Sequence, residues 1–240
     1  MPISVSILEY ERVLYRDVED ISSSLIFSHI MNMINTGKME SIHLDIMRPP
    51  LIPDRIVFPI KLVEKIYGTL WRRIPLSFHL MVSNPIIMVD EMNKFIPRKD
   101  RIENSVAIHR ESFNSESEMS DAVKLIKEEY GYGSVGISLD LPTPCNVISE
   151  KTVKMADFIL LMTVHMGRGR QKYSEKGTEK IEYFSRRYPG KPIWVDGGIN
   201  LHTARIAEKA GARTLVVGSF ITLKKNPVEG LLELASNIGE

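Results

Sequence analysis

Residues 41–47 read SIHLDIM, and this stretch carries the pattern that decides the fold. In a strand, successive side chains point to opposite faces, so His43, Asp45 and Met47 lie on one face and the aliphatic residues between them on the other. One face of this strand is therefore polar, although the run as a whole is apolar. A charged group on such a strand has to be held by a partner, a metal or a ligand.

The stretch is one of eight short, β-rich apolar runs along the chain. They cover residues 3–8, 41–46, 75–81, 105–109, 134–139, 158–164, 192–195 and 214–217. Between them, segments such as 121–130, 178–188 and 201–210 have apolar residues three and four apart, which is the helical period. Alternating strands and helices predict parallel pairing, and eight such units close more naturally into a barrel than into an open sheet. We therefore expect an α/β fold in one domain over residues 1–240, a single (β/α)8 TIM barrel, with a doubly wound open sheet as the alternative.

The composition is that of an ordinary globular chain, with 240 residues, 43% of them hydrophobic, and 31 Lys and Arg against 30 Asp and Glu. A net charge of +1 provides no long-range field for nucleic acid or anionic lipid, so an anion has to bind at a local site. The longest apolar run is too short to cross a bilayer, and residues 1–10 lack the pattern of a signal peptide. Cys145 is the single cysteine, which excludes an internal disulfide and fits a reducing compartment. We expect a cytoplasmic protein that binds neither nucleic acid nor membrane.

Ligand-type side chains lie near the carboxyl ends of three of these runs. His43 and Asp45 belong to the second run, His79 to the third, and Asp196 follows the seventh. The carboxyl ends of the strands of such a barrel face the active site, so the four side chains share one rim. Two imidazoles and two carboxylates suit a borderline divalent ion such as Zn²⁺, Fe²⁺, Mn²⁺ or Co²⁺.

Each of these four residues also has a simpler explanation. A lone strand histidine is more often a core residue than a ligand, and a strand-end aspartate often caps the next helix. Four of them at the rims of separate strands favour a metal site. In such a site, each histidine is expected to have an acceptor for its other ring nitrogen.

Asp45 and Asp196 have a further use as a pair. A carboxylate can remove a proton from a carbon next to a carbonyl while a metal stabilises the resulting enediolate, and a second carboxylate can return a proton to the other face. The pair therefore predicts epimerisation.

Three glycine-containing loops follow neighbouring strands. They are Gly197-Gly198 after the seventh run, Gly218-Ser219 after the eighth, and Gly167-Arg168-Gly169-Arg170-Gln171 after the sixth. Barrels of this kind usually hold phosphate at this place, with backbone N–H groups and a helix N-terminus. A single loop glycine more often only turns the chain, but three such loops at adjacent strand ends favour an anion site.

In register over nearly the whole chain, the residues resemble the ribulose-phosphate 3-epimerase family. The segments that carry the resemblance are Ser6-Ile7-Leu8, His43-Leu44-Asp45-Ile46-Met47, His79-Leu80-Met81-Val82, Asn84-Pro85, His109-Arg110-Glu111, Thr143-Pro144, Met162-Thr163-Val164, Gly167 with Gly169 and Gln171, Asp196-Gly197-Gly198-Ile199-Asn200, Ala210-Gly211-Ala212 and Gly218-Ser219. The resemblance implies a (β/α)8 barrel that interconverts D-ribulose 5-phosphate and D-xylulose 5-phosphate.

The resemblance also implies roles for individual residues. The metal ligands correspond to His43, Asp45, His79 and Asp196, and the acid and base to Asp45 and Asp196. The residues expected around the substrate and its phosphate are Ser6, Met47, Met81, Met162, Gly167, Gly169, Gly197, Gly198, Gly218 and Ser219. The three methionines correspond to an apolar ceiling over the reacting carbons, although simple core filling explains them equally well.

Substrate-facing positions depart from the family's pattern. Glu9 replaces a small serine, Arg48-Pro49-Pro50 replaces Asp-Gly-His, and residues 165–171 replace Asn-Pro-Gly-Phe-Gly-Gly-Gln. A carboxylate near two aspartates and a phosphoester needs a cation, and the planar fork of an arginine can hold a carboxylate in bidentate fashion. We expect Glu9 and Arg48 to pair. In the alternative, Arg48 points to solvent and Glu9 binds the metal or water.

The leading hypothesis is a metal-dependent isomerase that inverts carbon 3 of D-ribulose 5-phosphate in the pentose phosphate pathway of carbohydrate metabolism. The alternatives are a 3-epimerase of another ketose phosphate, such as allulose 6-phosphate, and a non-catalytic relative that binds sugar phosphate. A lyase like orotidine-phosphate decarboxylase or hexulose-phosphate synthase ranks lower, because Asp45 is followed by neither the lysine nor the second aspartate of their Asp-x-Lys-x-x-Asp pattern. We expect a small-molecule sugar phosphate as the ligand and a homo-oligomer as the assembly.

Overall fold

The computed structural model describes residues 1–238, and within them eight parallel strands form a closed barrel. The strands are β1 Ile3–Ser6, β2 Ser41–Met47, β3 Leu76–Met81, β4 Ser105–His109, β5 Ser134–Leu139, β6 Phe158–Met162, β7 Ile193–Asp196 and β8 Thr214–Val217. Each strand pairs with the next one along the chain, and β8 closes the ring against β1. The predicted TIM barrel is confirmed, and the open sheet is excluded.

Helices connect the strands around the outside of the barrel. They are α1 Glu11–Arg16, α2 Leu25–Asn35, α3 Ile60–Leu70, α4 Pro85–Asn93, α5 Arg98–Arg101, α6 Glu116–Lys124, α7 Glu150–Met155, α8 Glu175–Arg187, α9 Leu201–Ala210, α10 Ser219–Thr222 and α11 Pro227–Asn237. Short 3-10 turns occur at Leu8–Tyr10, Ile21–Ser23, Arg110–Ser112 and Cys145–Val147, and a π turn over Leu125–Glu129 extends α6. Within residues 1–238, none of these helices combines the length and the apolar character that a membrane span requires.

Some predicted elements have different ends in the structure. The first run, 3–8, stops at Ser6 because Ile7 leaves the extended conformation (φ −98°, ψ 23°) and a 3-10 turn follows. The sixth run, 158–164, stops at Met162. The helix predicted over 121–130 begins earlier, where the Ser115 hydroxyl accepts a hydrogen bond from the N–H of Glu118 and caps it. As a result, the residues after β1 and β6 belong to loops at the carboxyl-end rim.

The strand register places Asp45 level with His79, and His43 level with Ser6. Ser6 on β1 pairs with His43 on β2, and Asp45 on β2 pairs with His79 on β3. Because side chains alternate along each strand, the residues that point inward from neighbouring strands form a layer inside the barrel.

The interior of the barrel is packed beneath this layer. A small apolar cluster fills it, made of Ala107, Phe158, Leu160 and Val216 with Trp194 against them. Phe158 and Trp194 lie near the amino ends of β6 and β7, and their rings stack with centroids 4.2 Å apart. The aliphatic residues on the outer face of the strands pack against the helices in a second, larger apolar layer. The carboxyl-end rim therefore stands on a closely packed floor.

Candidate functional site

His43, Asp45, His79 and Asp196 converge at the carboxyl ends of β2, β3 and β7. One donor atom from each lies within 4.8 Å of the donor atoms of the other three. His43 Nε2 is 3.2 Å from His79 Nδ1, and that nitrogen is 3.2 Å from Asp45 Oδ1 and 3.4 Å from Asp196 Oδ2. Both imidazoles are fully buried. Three separate strands thus aim two nitrogens and two oxygens at one point.

The electrostatics of this cluster favour positive charge at its centre. Burial acts to lower the pKa of His79, but its hydrogen bonds with Asp196 and Asp45 outweigh burial and raise the pKa to about 9. Burial acts to raise the pKa of Asp45, but His43 and His79 hold it well below its usual range. Two imidazole nitrogens and two carboxylate oxygens are the donors that Zn²⁺, Fe²⁺, Mn²⁺ and Co²⁺ accept, so these residues fit a divalent ion.

Ser6 orients one of the two aspartates. Its hydroxyl donates to Asp45 Oδ2 at 2.7 Å, while Asp45 Oδ1 faces the histidines. The Asp196 side chain is 13% exposed and opens towards the solvent side of the cluster, whereas that of Asp45 is 5% exposed. The two carboxylates therefore have different surroundings, one enclosed and one accessible.

A cavity lies directly above the cluster, with about 570 Å³ of empty space when the open solvent at its mouth is included. Its walls include Ser6, Asp45, Met47, Met81, Met162, Gly167, Gly169, Asp196, Gly197, Gly198, Gly218 and Ser219. All the residues predicted around a substrate therefore lie on one cavity, with His43 and His79 beneath it. The three methionines are at most 4% exposed, so they pack in the core and also face the cavity.

The glycine turn after β7 leaves no room for a side chain. Gly198 has φ +66°, and a Cβ there would lie 2.4 Å from the backbone nitrogen of Tyr173. The first turn of α9 already has a cap, because the side chain of Asn200 accepts from the N–H groups of His202 and Thr203. The turn itself, rather than the first turn of α9, therefore faces the cavity.

The predicted pair between Glu9 and Arg48 is wrong, and so is the alternative arrangement. Within residues 1–238 no ion pair joins them, and Arg48 is half-buried and donates to the carbonyl oxygens of Met47 (2.7 Å), Val57 (2.6 Å) and Phe58 (2.8 Å). The reason is the loop after β2, which folds back so that Met47 and Val57 pair in antiparallel fashion. This places several carbonyl oxygens around the guanidinium group.

Glu9 instead pairs with Arg170 from the loop after β6. Arg170 Nε donates to Glu9 Oε2 at 2.8 Å, and a second guanidinium nitrogen bonds the same oxygen. Glu9 is 9% exposed and Arg170 63%. Arg170 has φ +60°, a left-handed conformation that favours glycine, and a Cβ on Gly169 would lie 2.8 Å from Glu9 Oε1. The loop after β6 is thus tied closely to the end of β1 at the cavity wall.

Sequence reasoning assigned no role to the residues behind His79. His79 Nε2 lies 2.7 Å from His109 Nε2, and His109 Nδ1 lies 2.9 Å from Glu111 Oε2. Burial lowers the pKa of His109. Burial acts to raise the pKa of Glu111, but contacts that include the hydrogen bond from His109 bring it down to about 2. His109 ends the fourth apolar run, so the search of strand ends that found Asp196 could also have found it.

The two histidines of the cluster differ in their outer contacts. His79 has a partner for its second ring nitrogen, as predicted. His43 has none among the described residues, because its Nδ1 is buried without a hydrogen bond. The prediction of an acceptor for each histidine is therefore wrong for His43, whose only polar contacts among the described residues are made by Nε2 within the cluster.

Comparisons with known proteins identify the family to which the sequence is similar. The model of the ribulose-phosphate 3 epimerase family matches residues 23–222. The ribulose-phosphate 3-epimerase of Bacillus subtilis is 31% identical over 194 residues, which cover 78% of this chain and 82% of that protein. The ribulose-phosphate 3-epimerase of Schizosaccharomyces pombe is 28% identical over 200 residues, with 82% and 81% covered.

Solved structures with lower sequence identity share the fold. A 3-hexulose-6-phosphate synthase superposes with a TM-score of 0.63 at 15% identity, with both chains fully covered. KGPDC from Streptococcus mutans superposes with a TM-score of 0.66 at 13% identity and covers 100% and 99% of the two chains. At these identities, the likeness concerns the barrel alone. The match over residues 23–222, together with the curated relatives, shows that the chain belongs to the ribulose-phosphate 3-epimerase family.

Proposed function

We propose that this enzyme is a divalent-metal-dependent 3-epimerase that interconverts D-ribulose 5-phosphate and D-xylulose 5-phosphate. One observation carries the proposal: two carboxylates and two imidazoles converge at the floor of a cavity whose rim is lined by glycine turns. Family membership supports the same reaction class.

The phosphate of the substrate belongs at the glycine turns of the rim. Gly197 and Gly198 after β7 and Gly218 with Ser219 after β8 line the cavity next to each other. Backbone N–H groups at such turns bind phosphate oxygens, as is common after the seventh and eighth strands of these barrels. A phosphate bound there leaves the sugar carbons to extend across the floor, under the methionine side chains.

The proton transfers belong to Asp45 and Asp196. One carboxylate removes the proton from carbon 3 and the other returns a proton to the opposite face, so the configuration inverts. When bound, the divalent ion would supply positive charge that stabilises the enediolate. Ser6 holds Oδ2 of Asp45, which restricts the orientation of that carboxylate. The methionines keep the space above the carbons apolar and offer no competing proton donor.

The replaced wall residues favour a second candidate, a 3-epimerase of another ketose phosphate such as allulose 6-phosphate. Glu9, Arg168 and Arg170 lie on the cavity wall, in the segments where the sequence departs from the family's usual pattern. A longer ketose phosphate would use the same floor and the same phosphate turns, and it would meet these residues with its additional carbon.

Coupled assays with D-ribulose 5-phosphate and D-allulose 6-phosphate, with and without added Mn²⁺ or Zn²⁺, test the proposal. We expect metal-dependent turnover that is faster with the pentulose phosphate. Faster turnover of the hexulose phosphate would support the second candidate. No turnover of either sugar by metal-loaded protein would mean a non-catalytic relative that binds sugar phosphate.

A further inference from the structure

We propose that His109 and Glu111 are positioning residues that hold His79 in the one ring form able to bind a divalent cation through Nδ1. The inference rests on the metal site of the proposed function. It concerns residues outside the four donors, and it follows from the direction in which a chain of buried hydrogen bonds has to run.

The orientation of His79 fixes which ring nitrogen faces which partner. Its Nδ1 points to Asp45 and Asp196, and its Nε2 lies 2.7 Å from His109 Nε2. A neutral imidazole that binds a cation through Nδ1 carries its hydrogen on Nε2. His79 then has to donate to His109, and His109 Nε2 has to accept.

Glu111 makes this direction the favourable one. If His109 Nε2 accepts, its hydrogen is on Nδ1 and is donated to Glu111 Oε2, 2.9 Å away. The other carboxylate oxygen accepts from the backbone N–H of Asp140 at 2.9 Å and from the hydroxyl of Thr143. An ionised carboxylate only accepts hydrogen bonds, so Glu111 cannot donate to His109 Nδ1, as the opposite direction would require.

The surroundings offer few other partners to the histidines of this hydrogen-bond series. His79 and His109 are fully buried, and their rings stack with centroids 4.9 Å apart. Ser138 Oγ lies 3.2 Å from His109 Nε2, but a hydroxyl can donate or accept and therefore imposes no direction. His43 has no comparable outer partner among residues 1–238. Of the two histidine donors, His79 is the one whose ring form is set from outside the cluster.

The variant Glu111→Gln is expected to reverse the direction of these hydrogen bonds. The amide oxygen would stay with the two donors from Asp140 and Thr143, so the amide NH₂ would face His109 Nδ1 and donate to it. His109 would then carry its hydrogen on Nε2 and donate to His79 Nε2. The hydrogen of His79 would move to Nδ1, where it blocks the cation.

We expect Glu111→Gln to weaken zinc binding by about 10- to 100-fold, the usual effect of losing an outer-shell partner of a metal-bound histidine. His109→Phe keeps an aromatic ring but removes the acceptor, and it should weaken zinc binding to a similar extent. Competition against a chromophoric chelator measures both constants. Absorption of the Co²⁺-loaded proteins reports whether the donor set has changed.

Glu116→Gln is the matched control. Glu116 Oε1 also accepts from a backbone N–H, that of Ser149 at 2.7 Å, and from the hydroxyl of Thr152, but no histidine of the described part of the chain bonds it. The same change of carboxylate to amide at Glu116 should leave the zinc dissociation constant unchanged.

Nitrogen-15 NMR of the zinc-loaded wild-type protein tests the inference without any variant. We expect the hydrogen of His79 on Nε2 and that of His109 on Nδ1. A His109 hydrogen on Nε2 would overturn the inference, and so would tight wild-type binding that Glu111→Gln and His109→Phe leave unchanged. A wild-type protein that binds no zinc, manganese or cobalt would overturn the proposed function as well.

Discussion

At the scale of single residues, His79 lies where a proton and the proposed metal ion would compete for the same ring nitrogen. In the metal-free protein its pKa is about 9, above the ordinary 6.5, so the ring is protonated at neutral pH. Binding of the proposed metal ion would have to displace that proton. We expect the affinity for Mn²⁺ to rise about tenfold per pH unit below pH 9 and to level off above it.

Calorimetry in two buffers of different ionisation enthalpy measures the protons released. Release of close to one proton per Mn²⁺ at pH 7.5 agrees with a protonated His79 in the metal-free protein. Binding that is independent of pH, without proton release, would contradict it.

Asp45 and Asp196 are the two proposed proton carriers. We expect Asp45→Asn and Asp196→Asn each to lower kcat by about 10²- to 10⁴-fold, the usual contribution of one acid or base. Metal content measured on the same samples separates a lost ligand from a lost proton carrier. Asp157→Asn is the control, because Asp157 bonds Lys127 and the N–H of Val135 at the amino end of the barrel. Its kcat should stay at the wild-type value.

The proposed action of Asp45 and Asp196 from opposite faces of the substrate has an isotopic consequence. Each exchanges its own proton with solvent, so turnover in D₂O should place deuterium mainly in the product. Mass spectrometry of both sugars at early times provides the measurement. Equal label in recovered substrate and in product would indicate a single base.

The residues of the cluster could be predicted because each is a polar residue on a strand whose other residues are largely apolar. Asp45 and His79 stand out from such runs, and a barrel assigns their position to one rim. The partner of Glu9 could not be predicted, since Arg170 is 161 residues away and reaches it only through the path of a loop. Arg48 was misassigned because its partners are carbonyl oxygens, which every residue possesses.

At the scale of elements, strands were more predictable than the loops that follow them. Strands β4, β5 and β8 have the predicted bounds, because a strand buried on both faces is continuously apolar. The loops after β2 and β6 obey no such pattern. Their conformations depend on contacts such as Met47 with Val57 and Arg170 with Glu9, which form only in the folded barrel.

The pair of Glu9 and Arg170 predicts coupling between β1 and the loop after β6. Arg170→Gly removes the cation at a position that suits glycine, and it leaves the Glu9 carboxylate unpaired on the wall of the proposed sugar-phosphate site. We expect KM to rise roughly three- to tenfold through charge repulsion, with kcat little changed. Glu9→Gln combined with Arg170→Gly should restore KM.

Steady-state kinetics of the wild type, the two single variants and the double variant form a double-mutant cycle, which measures the coupling. The single change Glu9→Gln completes it. Independent effects of the two changes on KM would count against a functional pair.

At the scale of the whole molecule, the barrel interior supports the rim by packing. Phe158 is 1% exposed and stacks on Trp194, so Phe158→Ala should lower the free energy of unfolding by about 3–5 kcal/mol. Denaturant titration followed by Trp fluorescence measures the change. Leu232→Ala on α11, where the side chain is 40% exposed, should stay within about 0.5 kcal/mol of wild type. Equal losses of unfolding free energy in both variants would mean that the interior cluster contributes no more to stability than a half-exposed side chain.

The distribution of the four donors along the chain bears on how the protein is made. His43, Asp45 and His79 lie in the first three strands, and Asp196 follows 117 residues after His79. At about 5–20 residues per second, the ribosome needs roughly 6–23 s to add that interval. During this time the nascent chain carries three donors without the fourth, and without the strands that hold them in register. A nascent chain would therefore have no complete site to load, and only the finished, closed barrel could take up the proposed metal ion.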